Sequence, residues 1–446
     1  MRRRITNWGN FPVIESDDRL FSFENELKEI HAQFNHYIPR GNGRCYGDAS
    51  LSSQTITTTR YDKVLSFDLQ LGIFECQSGI TLDQILDIIV PKGWFLPVTP
   101  GTKFITVGGA VASDIHGKNH HVDGSFSNHI KELDVLIPSG VILNCGPDRN
   151  TDLFEATCGG MGLTGLITRV VFELKKIETS YITQKQIKAS NLEEMLRLFE
   201  KYKNYTYSVA WIDCLQTGKN FGRGILMLGE HATEKELSTK YKSLPLKLPS
   251  GKQIKLPFYL PSFFLNKFTV KLFNTLFYHK NVRKEINNLI SYEPFFYPLD
   301  SILDWNKGYS KKGFIQYQFV LPLESKEGLI TILKAISKKG LGSFLAVLKI
   351  FGKQDSLISF PMEGYTLALD IPISKSLFPV LDELDELVLQ NGGRLYMSKD
   401  ARMKANVLKN GYPRLDEFKK IICKYNPDNK LQSMLSDRLL LTTELI

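Results

Sequence analysis

The 446-residue chain has only six cysteines (Cys45, Cys76, Cys145, Cys158, Cys214 and Cys423), widely separated and without a C-x-x-C pair. That spacing excludes the usual zinc frameworks, gives no disulfide scaffold and suits a reducing compartment. Nowhere do about 18 apolar residues run together, so no helix is expected to span a membrane. The opening Met1-Arg2-Arg3-Arg4 mimics the start of a signal peptide, but no apolar run of about 7–15 residues follows, and a cleaved signal is not expected. Walker-type lysine patterns, H-E-x-x-H pairs, internal repeats and low-complexity tracts are also missing. Charge of one sign is only in modest excess: 56 Lys plus Arg against 47 Asp plus Glu, a net +9. The lysines are scattered rather than gathered in a stripe, which argues against nucleic acid while leaving an anionic substrate or lipid headgroup open. With 43% hydrophobic and 23% charged residues, the composition is that of a globular protein of two or three domains.

What is present begins with glycine. A literal G-x-G-x-x-G occurs at Gly160, Gly162 and Gly165, but helix-like residues precede it and a strand, Leu166 to Leu174, follows. A nicotinamide-binding turn needs the opposite order, so this is not one. Two other segments suit a phosphate-bearing cofactor better: R-G-N-G-R-C-Y-G-D from Arg40, and P-G-T-K-F-I-T-V-G-G-A-V-A-S-D-I-H-G-K-N-H-H-V-D-G-S from Pro100. Closely spaced glycines let main-chain N–H groups converge on an anion, and Thr106-Val107-Gly108-Gly109 reads as a turn into a short helix whose N-terminus favours a pyrophosphate. Four of the eight histidines (His116, His120, His121, His129) fall within fourteen residues. Their spacing matches no metal-ligand pattern, so hydrogen bonding to cofactor or substrate is expected and no metal. From about residue 179 the texture changes to Lys, Tyr and Phe, with strands such as Phe314 to Leu321 and Gly364 to Ile371 alternating with helices at 327–338 and 377–390. That is an α+β pattern with an antiparallel sheet.

The two loops, in this order and spacing, resemble the FAD-binding domain of the vanillyl-alcohol-oxidase / p-cresol-methylhydroxylase (PCMH/VAO) fold. Further motifs are D-I-H-G-K-N-H-H from Asp114, C-G-G-M-G-L-T-G from Cys158, Y-P-L-D-x-x-x-x-W-N from Tyr297, F-I-Q-Y-Q-F-V-L-P from Phe314, F-L-A-V-L-K-I-F-G from Phe344 and G-G-R-L-Y-M-S-K-D-A-R from Gly392. Together they resemble the decaprenylphosphoryl-β-D-ribose 2-oxidase family, flavin subunits of an epimerase in cell-wall polysaccharide synthesis. The resemblance implies a two-domain FAD-linked oxidase. Residues 1–178 and 394–446 would form the FAD domain, and residues 179–393 an inserted antiparallel-sheet substrate domain.

It also implies the site. Arg40, Gly41, Asn42, Gly43, Arg44, Cys45 and Tyr46 would wrap the pyrophosphate with Gly101, Thr106, Val107, Gly108 and Gly109. Ser113, Asp114, Ile115, His116 and Gly117 would pass the isoalloxazine, Ile167 the adenine, and Tyr396 and Lys399 would return to the flavin from the tail. The first loop lacks the histidine that tethers FAD in many relatives, so FAD is expected to be non-covalent. Lys399, His116, Tyr46, Lys118, Gln316, Gln318 and Lys349 match polar positions on the substrate side, with Lys399 and His116 level as proton acceptor. The implied reaction oxidises the 2-hydroxyl of a polyprenyl-phosphoryl pentose, with an NADH-dependent short-chain keto-reductase completing the epimerisation. Ala368, Thr366 and Phe296-Tyr297 replace a Cys, an Asn and a Tyr-His pair of mycobacterial members, which leaves the sugar and lipid open.

Leu256 to Lys280 holds six Phe and two Tyr with Lys255, Lys267, Lys271 and Lys280 interleaved. An aromatic, basic segment of helical period suits a membrane interface or polyprenyl tail, with a core helix as the rival reading. The expected location is therefore cytoplasmic, peripheral at the inner membrane. The competing function is a soluble aldonolactone or alditol oxidase on the same fold.

Overall fold

The computed structural model describes residues 2–249, 251, 253–280 and 282–442. Among them, the strands form a four-stranded, a five-stranded and an eight-stranded sheet and two two-stranded pairs. The four-stranded sheet pairs Arg2–Thr6 antiparallel to Val13–Leu20, and then Val13–Leu20, Gln54–Thr57 and Ile38–Arg40 run parallel. The five-stranded sheet is antiparallel and contains the hairpins Val64–Asp68/Ile73–Gln77 and Ile130–Leu136/Ile142–Cys145, joined through Leu166–Glu173. Leu82–Ile89 forms the helix that packs into the same core through Leu82, Ile85, Leu86 and Ile89. It starts where it does because the Thr81 hydroxyl accepts from the Gln84 N–H while the Gln84 side chain accepts from the Thr81 N–H. The glycine triplet at 160–165 lies between the helix Thr151–Thr157 and the strand Leu166–Glu173. This is the inverse of a dinucleotide-binding turn.

The eight-stranded sheet positions the chemistry. One side of it is built from Val347–Phe351, Gly364–Pro372 and Phe314–Pro322, all antiparallel, and Arg394–Leu395 closes that edge. Strand side chains alternate between faces. Ile315, Tyr317, Phe319 and Leu321, with Tyr365, Leu367, Leu369 and Ile371 beside them, therefore go under the helices Lys326–Lys339 and Leu377–Gln390. Burying each such side chain is worth about 1.5–3 kcal/mol, so this face fixes the register. Gln316, Gln318, Lys349, Thr366, Ala368 and Asp370 are thereby left on the opposite face. After the edge strand the chain turns back to the N-terminal sheets: Tyr37 N–H donates to the Lys430 carbonyl and Met434 N–H to that of Leu51. The Arg438 guanidinium grips the Asp48 carboxylate at 2.8 Å.

Candidate active site

The two glycine loops lie against each other. Asn42 Nδ2 donates to the Phe104 carbonyl at 2.8 Å, and a Cβ on Gly41 would stand 2.2 Å from Thr106 Oγ1. Only glycine fits such an approach. Among the described residues, none of the main-chain N–H groups of Gly41, Asn42, Gly43, Arg44 and Cys45 donates within the protein. Five consecutive free donors, with Gly43 at φ +60, make an anion cradle of backbone dipoles. Opposite them, a Cβ on Gly101 would meet nothing within 4 Å. The cradle is held from behind by the Y-P-L-D and W-N motifs. Tyr297 and Thr99 share a hydroxyl–hydroxyl bond of 2.7 Å, and Asp300 accepts from the Lys103 N–H at 2.8 Å. Asn306 donates to the Trp8 carbonyl, and the Trp8 ring carries the Arg44 guanidinium at 4.0 Å.

Three expected roles change. The helix Val107–Ala112 forms behind its cap Thr106, but the Val107 and Gly108 N–H groups donate to the Ile80 and Ser78 carbonyls and Gly109 N–H to Thr106 Oγ1. Its first-turn donors are thus spent inside the protein, and the free main-chain donors lie in the first loop. The Arg40 guanidinium is likewise turned inward, onto Asn7 Oδ1, the Ser50 carbonyl and the Thr6 carbonyl at 2.5, 3.1 and 2.7 Å. It clamps the N-terminal strand instead of reaching a phosphate. Asp114, fully buried, accepts from Ser127 N–H, Gln354 Nε2 and Ser359 Oγ, so its carboxylate orients the loop. Of the remaining loop residues, Cys45 Sγ lies 3.3 Å from Ser50 Oγ. Ile115 is in the core, and Ile167 packs in the same cluster opposite Val135. Gly117 is forced to be glycine by Asn119 and Thr99, whose atoms would lie 2.6 and 2.9 Å from a Cβ.

On the sheet face, His116 sits in an aromatic box of Phe351, Phe360 and Tyr396, with ring centroids at 4.7, 5.6 and 5.2 Å. The Tyr396 hydroxyl donates to the Ser113 carbonyl at 2.8 Å, which fastens the tail to the second loop. Gln318 Nε2 donates to Thr366 Oγ1 at 3.2 Å and to His116 Nε2 at 3.1 Å. Thr366 Oγ1 in turn donates to the Phe319 carbonyl, which fixes the direction of that chain. His116 therefore carries its ring proton on Nδ1, which has no partner among the described residues. Burial holds the imidazole well below its ordinary value, helped by Lys349, His120 and Lys399. It is a neutral donor with its acceptor nitrogen engaged.

Lys118, Lys349 and Lys399 are half-buried, and Lys349 acts electrostatically on both of the others. Burial, with Lys349 adding to it, brings Lys118 down to about 7; burial brings Lys349 down to about 8 and Lys399 to about 7. Lys118 Nζ donates to the Phe296 carbonyl at 3.1 Å, and its own carbonyl accepts from Ser208 N–H, which ties the second loop to the eight-stranded sheet. Lys399 Nζ stands 3.8 Å over the Tyr46 ring, and Tyr46 N–H donates to the Ser398 carbonyl. Gln316 Nε2 donates to Asp370 Oδ1 at 2.6 Å. Asp370, opposite Gln316 in register and 1% exposed, is the residue that the sequence reading passed over. Its signal was available: one acid in the otherwise uncharged G-Y-T-L-A-L-D, on the same alternation as Thr366 and Ala368. The other histidines of the cluster go separate ways, His120 to Gln354, His121 to the Tyr205 carbonyl and His129 to the Asp123 carbonyl. Among the described residues no three His, Cys, Asp or Glu gather as a metal set.

A family model described as an FAD binding domain matches residues 23–146, the span that contains both loops. Decaprenylphosphoryl-β-D-ribose oxidase of Mycolicibacterium smegmatis is 37% identical over 412 residues, covering 90% of this chain and 88% of that protein. The chain belongs to the decaprenylphosphoryl-β-D-ribose oxidase family. An uncharacterised protein of Streptomyces coelicolor from the mprA 5′ region is 31% identical over 81% of this chain and 100% of its own length. L-gulonolactone oxidase 3 of Arabidopsis thaliana is 22% identical over 46% of this chain. As a member of this family the protein is an FAD-dependent oxidoreductase, and the free amides of 41–45 and the open space at Gly101 fit a dinucleotide.

Proposed function

We propose that the protein oxidises the 2-hydroxyl of a polyprenyl-phosphoryl pentose of the decaprenylphosphoryl-β-D-ribose type to the 2-keto sugar. The observation that carries this reading is the trio Lys118, Lys349 and Lys399 on one polar face. Lys349 depresses the proton affinity of both Lys118 and Lys399, and a phosphodiester that pairs with Lys118 and Lys349 relieves that repulsion while leaving Lys399 as the base. Bound FAD supplies the two-electron acceptor at flavin N5, held without a covalent tether since the first loop offers no histidine. Gln316, Gln318 and Tyr46 hold sugar hydroxyls, while His116 donates from Nδ1. The hydroxyl proton goes to Lys399 Nζ, because His116 has its lone pair occupied by Gln318 and Lys399 titrates near neutrality.

The FAD domain is taken as residues 1–178 with 394–446, and the substrate domain as 179–393. The product, a 2-keto sugar, calls for an NADH-dependent keto-reductase to complete an epimerisation. The lipid tail is assigned to 256–280. Among the described residues no helix is long and apolar enough to cross a membrane. The helix Lys267–Lys280 buries Val270 and Asn274 and leaves Phe268, Leu272 and Leu276 at 75%, 52% and 63% exposure; Phe263 before it is 70% exposed. A core helix would not do this, and an exposed apolar patch with interleaved lysines suits an anionic membrane surface, peripheral at the inner membrane. The aldonolactone-oxidase alternative has no use for that patch.

Anaerobic bleaching tests the reading. A prenyl-phosphoryl pentose should bleach the flavin far faster than free pentose, alditol or aldonolactone, because remote binding energy positions the sugar. Equal rates for the soluble substrates would hand the function to the alternative. Acid precipitation should leave the yellow colour in the supernatant; colour in the pellet would refute non-covalent FAD. Changing Phe263, Phe264 and Phe268 to Ser should weaken sedimentation with anionic vesicles and raise the KM for the lipid substrate without unloading FAD. Vesicle binding unchanged in this variant would remove the membrane role.

A further inference from the structure

We propose that Asp370 is the counter-charge of Lys399, a positioning residue that stabilises the ammonium formed when Lys399 receives the substrate's hydroxyl proton. The proposal rests on the oxidase reading above. Asp370 reaches the site from the middle of Gly364–Pro372, where register sets it against Gln316, and its own N–H donates to Ser343 Oγ at 3.1 Å. One carboxylate oxygen accepts from Gln316 at 2.6 Å; the other, Oδ2, is buried and has no partner among the described residues. A buried carboxylate left half-satisfied is costly, and such groups persist where the unsatisfied atom has a task.

The groups around the pair leave one candidate for that task. Lys399 feels the field of Asp370, Lys349 and Cys45, stands over the Tyr46 ring, and acts in turn on His116. Asp370 feels Lys399, and its charge reaches the hydroxyls of Tyr46 and Tyr309. Burial raises the carboxyl and lowers the lysine, with Lys349 lowering it further, while Asp370 alone among the carboxylates in that set favours the ammonium. In the reaction the substrate C–H bond breaks, with its electron pair leaving as hydride to the flavin. The O–H bond breaks, its proton passes to Lys399 Nζ, and the C=O bond forms. Above about pH 7, where Asp370 is ionised, the Lys399–Asp370 pair goes across that step from one net negative charge to none. Without Asp370 it would go from neutral to cationic, beside two other lysines. The arrangement has the logic of a base whose charge is prepared for by a buried acid.

Asp370→Asn keeps the shape and an acceptor for Gln316 but removes the charge. In the holoenzyme, competitive acylation of Lys399 by an amine-reactive anhydride, followed by peptide mass spectrometry across pH 5 to 10, reads the lysine's titration without turnover. Since Asp370 favours the protonated amine, its loss should move the Lys399 midpoint down by at least about one pH unit. The acid limb of kcat/KM, which requires neutral Lys399, should move down with it while the plateau falls at least about tenfold. Asp370→Glu, which restores the charge, should return the midpoint towards wild type. An unmoved Lys399 midpoint, or a lost plateau with an unmoved acid limb, overturns the proposal. If Asp370→Asn does not take up FAD, Asp370→Ala assayed with and without formate replaces it; formate should restore the plateau, and no restoration overturns the proposal. Failure of the wild type to bleach with lipid-linked sugar would sink the oxidase reading instead, and the labelling midpoint would still judge the pair.

Discussion

Two regions of this protein are built for anions by opposite means. The loop 41–45 uses main-chain N–H groups, with Arg40 turned away into the N-terminal strand and Arg44 laid over the Trp8 ring. The face of the eight-stranded sheet uses side-chain cations, Lys118, Lys349 and Lys399, held where burial weakens their hold on protons. Main-chain dipoles do not titrate and cannot exchange a proton with what they bind, which suits a permanent cofactor. Half-buried amines can do both, which suits a group that reacts. The same charge complementarity thus serves retention in one place and chemistry in the other.

The sharpest test of that division is Lys399→Ala. It should leave FAD bound, with the visible spectrum intact, and lower kcat by about 10²–10³, the usual cost of removing a group that stabilises transition-state charge. Near-wild-type turnover would place the proton acceptor elsewhere on the face. Gly41→Val should do the reverse. Its Cβ meets Thr106 Oγ1 at 2.2 Å, and overpacking of about 1–3 kcal/mol should weaken FAD uptake up to about a hundredfold, while any flavin-loaded fraction turns over normally. A loaded variant with poor kcat would show that the loop also shapes the reacting centre.

A third outcome concerns stability of the apoprotein. Lys118 and Lys399 titrate at about 7 in the folded chain and at about 10.4 unfolded, so between these values the unfolded state binds more protons. These two lysines then contribute a rise in stability with pH above 7, by at most about 1.4 kcal/mol per lysine per pH unit. Buried thiols such as Cys214, pushed up to about 12 by burial, oppose that contribution from about pH 8.5, and buried tyrosines such as Tyr297, whose phenol burial pushes far up, join them near pH 10. Lys118→Met with Lys399→Met should flatten that rise in thermal unfolding; a slope unchanged in the double variant would show that the lysines are solvated. The smallest effect is expected for FAD affinity itself. Donors that do not titrate predict less than about a twofold change in the FAD dissociation constant between pH 6 and 8.5, measurable by flavin fluorescence on titration of apoprotein. A steep pH dependence would mean that side-chain charge, not the loop, retains the dinucleotide.

Local elements were legible because local chemistry sets them. The periodicity over 327–338 and 377–390 gave the helices Lys326–Lys339 and Leu377–Gln390, and the alternation over Phe314 to Leu321 and Gly364 to Ile371 gave the strands Phe314–Pro322 and Gly364–Pro372. The order of helix and strand around Gly160 to Gly165 was enough to exclude a nicotinamide turn. The glycine loops could be located but not apportioned. Whether Val107 and Gly108 or Gly41 to Cys45 keep free N–H groups depends on where Ser78 and Ile80 lie, a contact across the fold. Arg40 and Asp114 misled for the same reason: a charged residue in a functional loop looks available until its partners, Asn7 and Thr6 or Ser359 and Gln354, are brought to it.

By itself the sequence determined the elements, the alternation that turns Gln316, Gln318, Lys349, Thr366 and Asp370 away from the core, and the aromatic excess of 256–280. These are properties of residue type and spacing along one strand or helix. Only the tertiary structure decided that this face meets Lys399 from the tail and, through Gln318, His116 from 202 residues earlier in the chain. It also decided that Phe268 and Leu276 stay outside the core, and that Asp370 comes within the field of Lys399. Proton affinity and exposure depend on what surrounds a group in space, and that is set by strand register and by the packing of distant segments, neither of which is written at any single position.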